Sequence, residues 1–588
     1  VAEVVIILLV STLVFAIVAR KLQVPEAIVL VLAGVAIGLV PGLPRIELDP
    51  DYVFVIVLPP LLHAQASVTS WKEFKDHLHG ISALAVGLVL FTTVVVAFAT
   101  HLLVPGIPLP CAFVLGAIVS PPDAVSASAV ARALRLPRRI VTVLEGESLV
   151  NDATGLVAYR FAVAAVMTGT FSLWGAGGNF VLMAAGGIAI GLTIGWVVTR
   201  LFTILRDDTI GIALSVAAPY VSWYLAERLH ASPVLAAVTG GIVIGARSSH
   251  ALSANARLQG SGFWNTLVFL LNGVVFTLLG LQLPRIIASS HGGAWTSLVR
   301  DGAIVFGAAA LARLVWIFPA AYLPSFLFPR KRRRRARHPP WKNMVILGWA
   351  GMRGVVSLAA ALALPLQLPD LQPFPVRDRL IFLAFCVVLG TLVVQGLTLP
   401  WVIRRLGIQG KVHDEEEEER AARLAAAHAG LTYVRVLQKS GLFFATSTRV
   451  VAAEYEDRIC EIHHAQRVSE QEKEDAAAAE EAGDEDSLMH IHGSAALRRV
   501  ALDAEHDALV ELHQGRELGK ELLLKLEREI DMAESRLPVT RMPATFVKRS
   551  GAKPVEPIAT KRKAAAAKTR AARAAPKSKD ALAGATRR

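Results

Sequence analysis

The sequence predicts an all-α polytopic membrane protein with about thirteen transmembrane helices, followed by a helical cytoplasmic tail. Composition is the first observation behind that expectation. Apolar residues make up 54% and charged residues 19% of the 588, with a mean hydropathy of +0.49, too apolar a balance for a soluble chain of this length. The second is a split: residues 1–406 hold nearly every long apolar run, while 411–588 contain none able to span a bilayer. The third is charge. Every second connection between apolar runs is basic, the pattern that cytoplasmic loops impose on a chain threaded back and forth through a membrane.

A span needs about 20 mainly apolar residues. The candidates, in order, are 3–19, 26–43, 51–68, 79–103, 109–133, 139–168, 177–201, 209–229, 232–247, 263–283, 302–328, 343–365 and 379–403. The first is closed by Arg20 and Lys21 and followed by a second span, so no cleavable signal is read there. The chain opens on Val1, so its true start is expected to be missing or differently initiated. Basic loops then recur at Lys72 and Lys75, at Arg132, Arg135, Arg138 and Arg139, at Arg200 and Arg206, at Arg247 and Arg257, over 330–335, and at Arg404 and Arg405. The intervening loops are poor in basic residues or offset them, as Arg45 is by Glu47, Asp49 and Asp51; Arg285 and Arg300, set against Asp301, are the weakest fit. An odd number of spans puts the N-terminus outside and the tail in the cytoplasm, as expected of a multi-pass protein of the plasma membrane.

Pro121 and Pro122 fall in the middle of the fifth span. Each removes a backbone donor and clashes with the preceding turn, so the helix is expected to break there. Asp123 would begin the second half-helix, where the positive end of the peptide dipoles suits a carboxylate. The plain alternative is a kink with Asp123 as a cap. In the sixth span Glu147, Asn151 and Asp152 lie at i, i+4 and i+5 and are expected to converge on one cavity. Asp152 is the best candidate for the group that binds a proton or a monovalent cation, Na⁺ or K⁺. Water-poor surroundings favour a neutral carboxyl and a bound cation favours a carboxylate, so competition for one group couples two fluxes. Asn151 would orient Asp152 without adding a titrating charge.

Glu147 needs a cationic partner, because an unpaired buried charge is expensive. Arg313 and Arg353, both inside later apolar spans, are the candidates. Gly351 and Gly354 flank Arg353 and loosen the twelfth span at its middle, which makes that span the expected counterpart of the proline-broken fifth in an inverted-repeat architecture. Glu227 and Asn272 read equally as interhelical glue or as ion contacts. His63 reads as a packing histidine. Cys111, Cys386 and Cys460 show no metal-ligand or redox spacing and read as packing residues. No cofactor and no specific nucleic-acid partner is expected, since the net charge of +13 sits mainly in the loops and in the last stretch of the tail.

Four motifs in this order carry a family resemblance: 58–62 (Leu-Pro-Pro-Leu-Leu), 116–125 around Asp123, Gly-Glu-Ser-Leu-Val-Asn-Asp at 146–152, and Gly-Met-Arg-Gly at 351–354. Over about 1–406 the chain resembles the monovalent cation:proton antiporters, which include bacterial NhaP-type antiporters and animal sodium/proton exchangers. The resemblance implies thirteen spans in inverted repeats, two broken helices crossing near the ion, a homodimer, and alternating access by a mobile core. It implies Asp152 as the cation- and proton-binding carboxylate, with Asp123, Asn151, Ser148 and residue 122 around it, and a structural ion pair of Glu147 with Arg313. Pro121, Gly351, Arg353 and Gly354 would support the broken helices. An Asn-Asp pair resembles the electroneutral branch. The chain departs from the family at Pro122, where members often carry Thr or Val, at Ala124, where Pro is common, and over 65–69, where many carry an acidic residue.

Residues 414–535 read as helices of a cytoplasmic domain at 411–540, interrupted by a low-complexity acidic stretch at 470–486. The last part, 541–588, is basic and lacks the apolar residues for a core, so it is expected to be disordered. Two other functions are weighed. An intramembrane aspartyl protease, the one enzyme considered, lacks its Gly-x-Gly-Asp motif and would leave Asn151, Glu147 and Arg353 without a task. A cation channel or ion-coupled symporter on a similar scaffold would differ in whether cation flux moves protons.

Overall fold

The computed structural model describes residues 2–22, 24–40, 52–123, 127–128, 130–131, 134, 136–169, 173–289, 295–327, 340–368, 371–408, 412–440, 445–464, 488–515 and 518–535. Within them the protein is all-helical, its one β feature an isolated bridge between Gln367 and Pro373. The chain forms two compact units, Val1–Val412 and His413–Arg588.

The first unit opens with α1 (Ala2–Leu22) and α2 (Glu26–Gly38). A π-helical turn, Val53–Val57, then leads into α3 (Leu58–Val68). Helices α4 (Trp71–Ser82) and α5 (Val89–Leu103) run on through a second π-turn, Ala83–Leu88, as one rod. Lys72 and Lys75 therefore lie on a helix rather than in the loop expected from their charge. Ser70 starts that helix early by accepting the Glu73 amide at 3.4 Å, a capping interaction that hydropathy alone does not register.

Next come α6 (Leu109–Val119) and α7 (Arg138–Thr168), the latter closed by Gly169 in the left-handed region at φ 69°. The chain continues with α8 (Leu173–Leu205), α9 (Asp208–Arg228), α10 (Pro233–Ala251) and α11 (Ala254–Leu281). It then forms α12 (Leu283–Ser289), α13 (Trp295–Leu327), α14 (Trp341–Trp349) and α15 (Val355–Leu362). The unit ends with α16 (Arg377–Gly390), a π-turn at Thr391–Gln395, and α17 (Gly396–Leu406). Arg200, Arg247, Arg257, Arg404 and Arg405, like the two lysines, sit on helices that extend past the apolar core of each span. The basic run 330–335 lies outside the described residues.

Seven helices among the described residues are long and apolar enough to cross a membrane, and four shorter apolar helices accompany them. The protein is thus a multi-pass membrane protein. Two neighbourhoods organise the unit. In one, α2 packs on α1 and α11, and α10 packs on α3, α8 and α9. Small residues set the closest approach there: a Cβ at Gly34 of α2 would stand 3.0 Å from the Gly280 Cα of α11. In the other, α5, α6, α7, α13 and α16 enclose the largest apolar core, which includes Leu115, Ile118, Leu358 and Phe385.

The second unit contains α18 (Val412–Ser440), α19 (Ala445–His464), α20 (Leu488–Gly515) and α21 (Lys520–Ser535). Leu431, Val434 and Tyr455 pack one apolar cluster, and Leu509, Leu523 and Leu526 another. Buried Glu505 is held by Arg458 at 3.0 Å through both carboxylate oxygens. Cys460 is exposed, unlike buried Cys111, because its position on α19 faces away from these clusters. The expectations for 470–486 and 541–588 concern residues outside those described.

Candidate functional site

Helix α6 stops at Val119. Pro121 and Pro122 cannot donate to a helical ladder, and Ser120 turns its hydroxyl back to the Ala117 carbonyl at 3.0 Å. The chain from Ser120 to Asp123 is non-helical, and 124–126, the expected start of the second half-helix, lie outside the described residues. Helix α14 stops at Trp349, and the chain stays unwound until Gly354 caps α15. The two unwound segments meet: the Asp123 amide donates to the Met352 carbonyl at 2.7 Å. Gly354 is needed for that approach, since a Cβ there would lie 2.5 Å from an Asp123 carboxylate oxygen. Gly155 on α7 likewise makes room for Pro121, whose Cγ would stand 2.8 Å from an added Cβ.

Arg353 sits where the two unwound segments meet and is 1% exposed. Its Nε donates to the Val119 carbonyl at 2.9 Å, one guanidinium NH donates to the Gly351 carbonyl, and its backbone N–H reaches the Thr391 hydroxyl at 2.9 Å. It thereby satisfies a carbonyl at the end of α6 and one in its own unwound segment, groups that lipid could not satisfy. Its positive charge suits the negative ends of helices α6 and α14. Glu147 is paired with Arg313, not Arg353, by a two-pronged contact at 2.5 and 2.8 Å, both side chains being buried. Arg313 also donates to the Leu347 carbonyl at 3.0 Å and so ties α7 to α13 and α14.

Glu147, Asn151 and Asp152 do not converge on one cavity. Five residues along a helix turn through about 140° modulo a full turn, so Asp152 faces away from Glu147. Asn151 donates to the Pro122 carbonyl at 2.7 Å, which braces the break in the fifth span. Its own amide oxygen is buried without a partner among the described residues. Neither Asn151 nor Pro122 lines the cavity.

Asp152 does line it, together with Ser148 one turn earlier on α7, Asp123, Pro121 and Gly354. The space measures about 50 Å³ and is walled on its other sides by α3, the π-turn before it, α11 and α15. Two carboxylates and a hydroxyl give its lining a set of oxygen donors. Such a set suits a hard monovalent cation. Among the described residues no group of three or more His, Cys, Asp or Glu side chains is arranged to hold a metal ion.

Of the residues noted only in passing from the sequence, His63 is buried and stacked on Trp264 at 5.5 Å between ring centres, whereas Asn272 lines the cavity. Glu227 lies exposed near the end of α9. Gln65 also lines the cavity, and the sequence marked it only as a departure from the family pattern. Nothing in the sequence singled out Thr391, a threonine among many in apolar spans.

An all-helical multi-pass protein with two unwound segments meeting beside a cavity that holds two carboxylates has the build of a membrane ion transporter. The chain belongs to the sodium/hydrogen exchanger transmembrane family, whose pattern it matches over residues 5–405. It is 33% identical to the uncharacterised Na⁺/H⁺ exchanger YjcE of Escherichia coli over 87% of this chain and 95% of that one. It is 34% identical to a sodium, potassium, lithium and rubidium/H⁺ antiporter of Bacillus pumilus, over 64% of this chain and 57% of the relative. Among solved structures, the sodium proton antiporter MjNhaP1 of Methanocaldococcus jannaschii superimposes with a TM-score of 0.54 at 21% identity, over 68% of this chain and 96% of the other. That likeness shows the fold. The protein is a cation/proton antiporter of the sodium/hydrogen exchanger type.

Proposed function

We propose that the protein exchanges one monovalent cation for one proton by competition of the two for Asp152, with Na⁺ the first candidate and K⁺ the second. The observation that carries this reading is that Asp152 and Asp123 share one cavity at the level where the two unwound segments meet. A carboxylate in a span is costly unless it is protonated or neutralised by an ion. Asp152 therefore loads either cargo, and the empty carboxylate is the least favourable state to carry across. Ser148 and Asp123 supply further oxygens to the cation, and Pro122 places Asp123 through its place in the break. Asn151 fixes the segment through the Pro122 carbonyl.

With Asn151 neutral, Asp152 is the titrating group of its motif, which favours electroneutral exchange. A cation range that includes both Na⁺ and K⁺ fits the Bacillus pumilus relative, a sodium, potassium, lithium and rubidium/H⁺ antiporter. In this reading the membrane unit has thirteen spans in inverted repeats with the two broken helices crossing, and it works as a homodimer in the plasma membrane. Its N-terminus is outside and its tail in the cytoplasm. The group containing α6, α7, α14 and α15 moves against the wall formed by α3 and α11, opening the cavity to one side at a time.

The test is cation-driven proton movement in proteoliposomes carrying an interior pH dye, with Na⁺ and K⁺ pulses given to wild type and Asp152→Asn. Wild type is expected to move protons on cation addition and Asp152→Asn is not. Cation tracer crossing without proton movement in wild type would replace exchange by a channel or symporter.

A further inference from the structure

Two side-chain amides, Gln65 on α3 and Asn272 on α11, line the same cavity as Asp152. Apart from them its α3 and α11 wall is apolar, made by residues such as Leu58, Leu62, Val275 and Phe276. Both amides are half-buried, and among the described residues neither side chain makes a hydrogen bond. That is unusual for amides in membrane spans. Polar residues there are retained as interhelical glue, with a partner across the interface, or because they face a path for water and ions. Helices α3 and α11 do pack on each other, yet the two amides are not used to join them. They are left turned to the cavity.

We infer that Gln65 and Asn272 form a neutral coordination station that takes over part of the hydration shell of the monovalent cation before it reaches Asp152, and so sets cation affinity and selectivity. The inference rests on the exchange reading above. An amide oxygen is a good ligand for a hard cation, and selectivity among such ions follows from the number and field strength of the dipoles presented. Because amides do not titrate in the working range, the station acts on the cation and leaves the proton to the carboxylate. The chemistry is specific to one half of the exchange cycle. Ser148 and Asp123 are the ligands on the opposite side, so the cation passes from an uncharged pair to a charged one.

The experiment measures Na⁺ and K⁺ dependence of exchange in proteoliposomes for Gln65→Leu, Asn272→Leu, the double variant and Asn272→Asp, each with a full pH profile at saturating cation. The double variant is expected to raise the cation KM by about tenfold, the loss expected for removing polar contacts to a charged group. The maximal rate should fall much less, the shape of the pH profile should hold, and the ratio of Na⁺ to K⁺ KM should change. Asn272→Asp, which keeps the shape and adds charge, should lower the cation KM and add a second titration to the pH dependence that KM already has in wild type. An unchanged cation KM in the double variant, or a lost maximal rate at constant KM, overturns the station in favour of a purely structural wall. If the leucine variants do not reach the membrane, Asn272→Asp decides alone, and an unaltered KM there also overturns it. Exchange that persists in Asp152→Asn would sink the competition reading instead, and the two failures are distinguishable because they fall on different variants.

Discussion

Glu147→Gln offers the sharpest test of how the membrane unit is held together. The substitution keeps the shape of the side chain and removes its charge. Arg313 would then remain buried with the Leu347 carbonyl, at 3.0 Å, as its fixed acceptor and no counter-charge at the 2.5 and 2.8 Å now made to Glu147. Removing one partner of a buried pair costs about 3–5 kcal/mol, because an uncompensated charge is left in a water-poor interior. Both residues are 1% exposed, so solvent screening does not reduce the figure. The melting temperature of the purified protein in detergent, followed by tryptophan fluorescence, should fall on the order of 10 °C. Replacing both members, Glu147→Leu with Arg313→Met, removes the unpaired charge and should recover most of the loss. A single variant as stable as wild type, or a double variant as unstable as the sum of the singles, would refute the claim that this pair compensates two buried charges.

Arg353→Met leaves the Val119 and Gly351 carbonyls without their donor and should cost about 1–3 kcal/mol for each, seen as lower thermal stability together with a loss of exchange. Arg353→Lys should not restore either, since an ammonium lacks the planar fork that reaches two carbonyls. Gly354→Ala places a Cβ 2.5 Å from an Asp123 carboxylate oxygen and 2.7 Å from the Asp123 Cβ, so the two unwound segments must part, and the cation KM in proteoliposomes should rise together with a fall in thermal stability. In the tail, burial holds the Glu505 carboxyl above its ordinary value of 4.5, against the opposing pull of Arg458 and Tyr455. A carboxyl with a raised folded value contributes stability that is full below the ordinary value and is lost as pH rises through the raised one. Amide exchange of α19 and α20 in the full chain should therefore lose protection with rising pH across that window, and Glu505→Gln should flatten the dependence.

The membrane unit was legible because its signals are covalent or compositional. Proline pairs, glycines around Arg353 and unbroken apolar runs act locally, and they mark where α6 and α14 end. The helix ends were harder to place. Lys72, Arg247 and Arg257 sit on helices that continue into the membrane surface, where charge and helicity coexist and hydropathy falls before the helix does. The choice between Arg313 and Arg353 for Glu147 was open from the residues themselves, both being arginines in apolar spans, and three-dimensional packing separates their tasks. The supposed common face of Glu147, Asn151 and Asp152 failed on helical geometry. Ser148 shares the Asp152 side, which the spacing i, i+4 allows. Gln65 and Asn272 carry no pattern in sequence, because an amide beside a cavity and an amide between helices look alike until the neighbours are known.

The central claim is that proton and cation compete for Asp152, and the pH dependence of the cation KM tests it most directly. In proteoliposomes of wild-type protein, competition predicts that on the acid side the apparent Na⁺ KM rises about tenfold for each unit of falling pH while the maximal rate at saturating Na⁺ is unchanged. A KM that stays constant across that range, with the maximal rate falling instead, would contradict a shared carboxylate and place the two cargoes on separate groups.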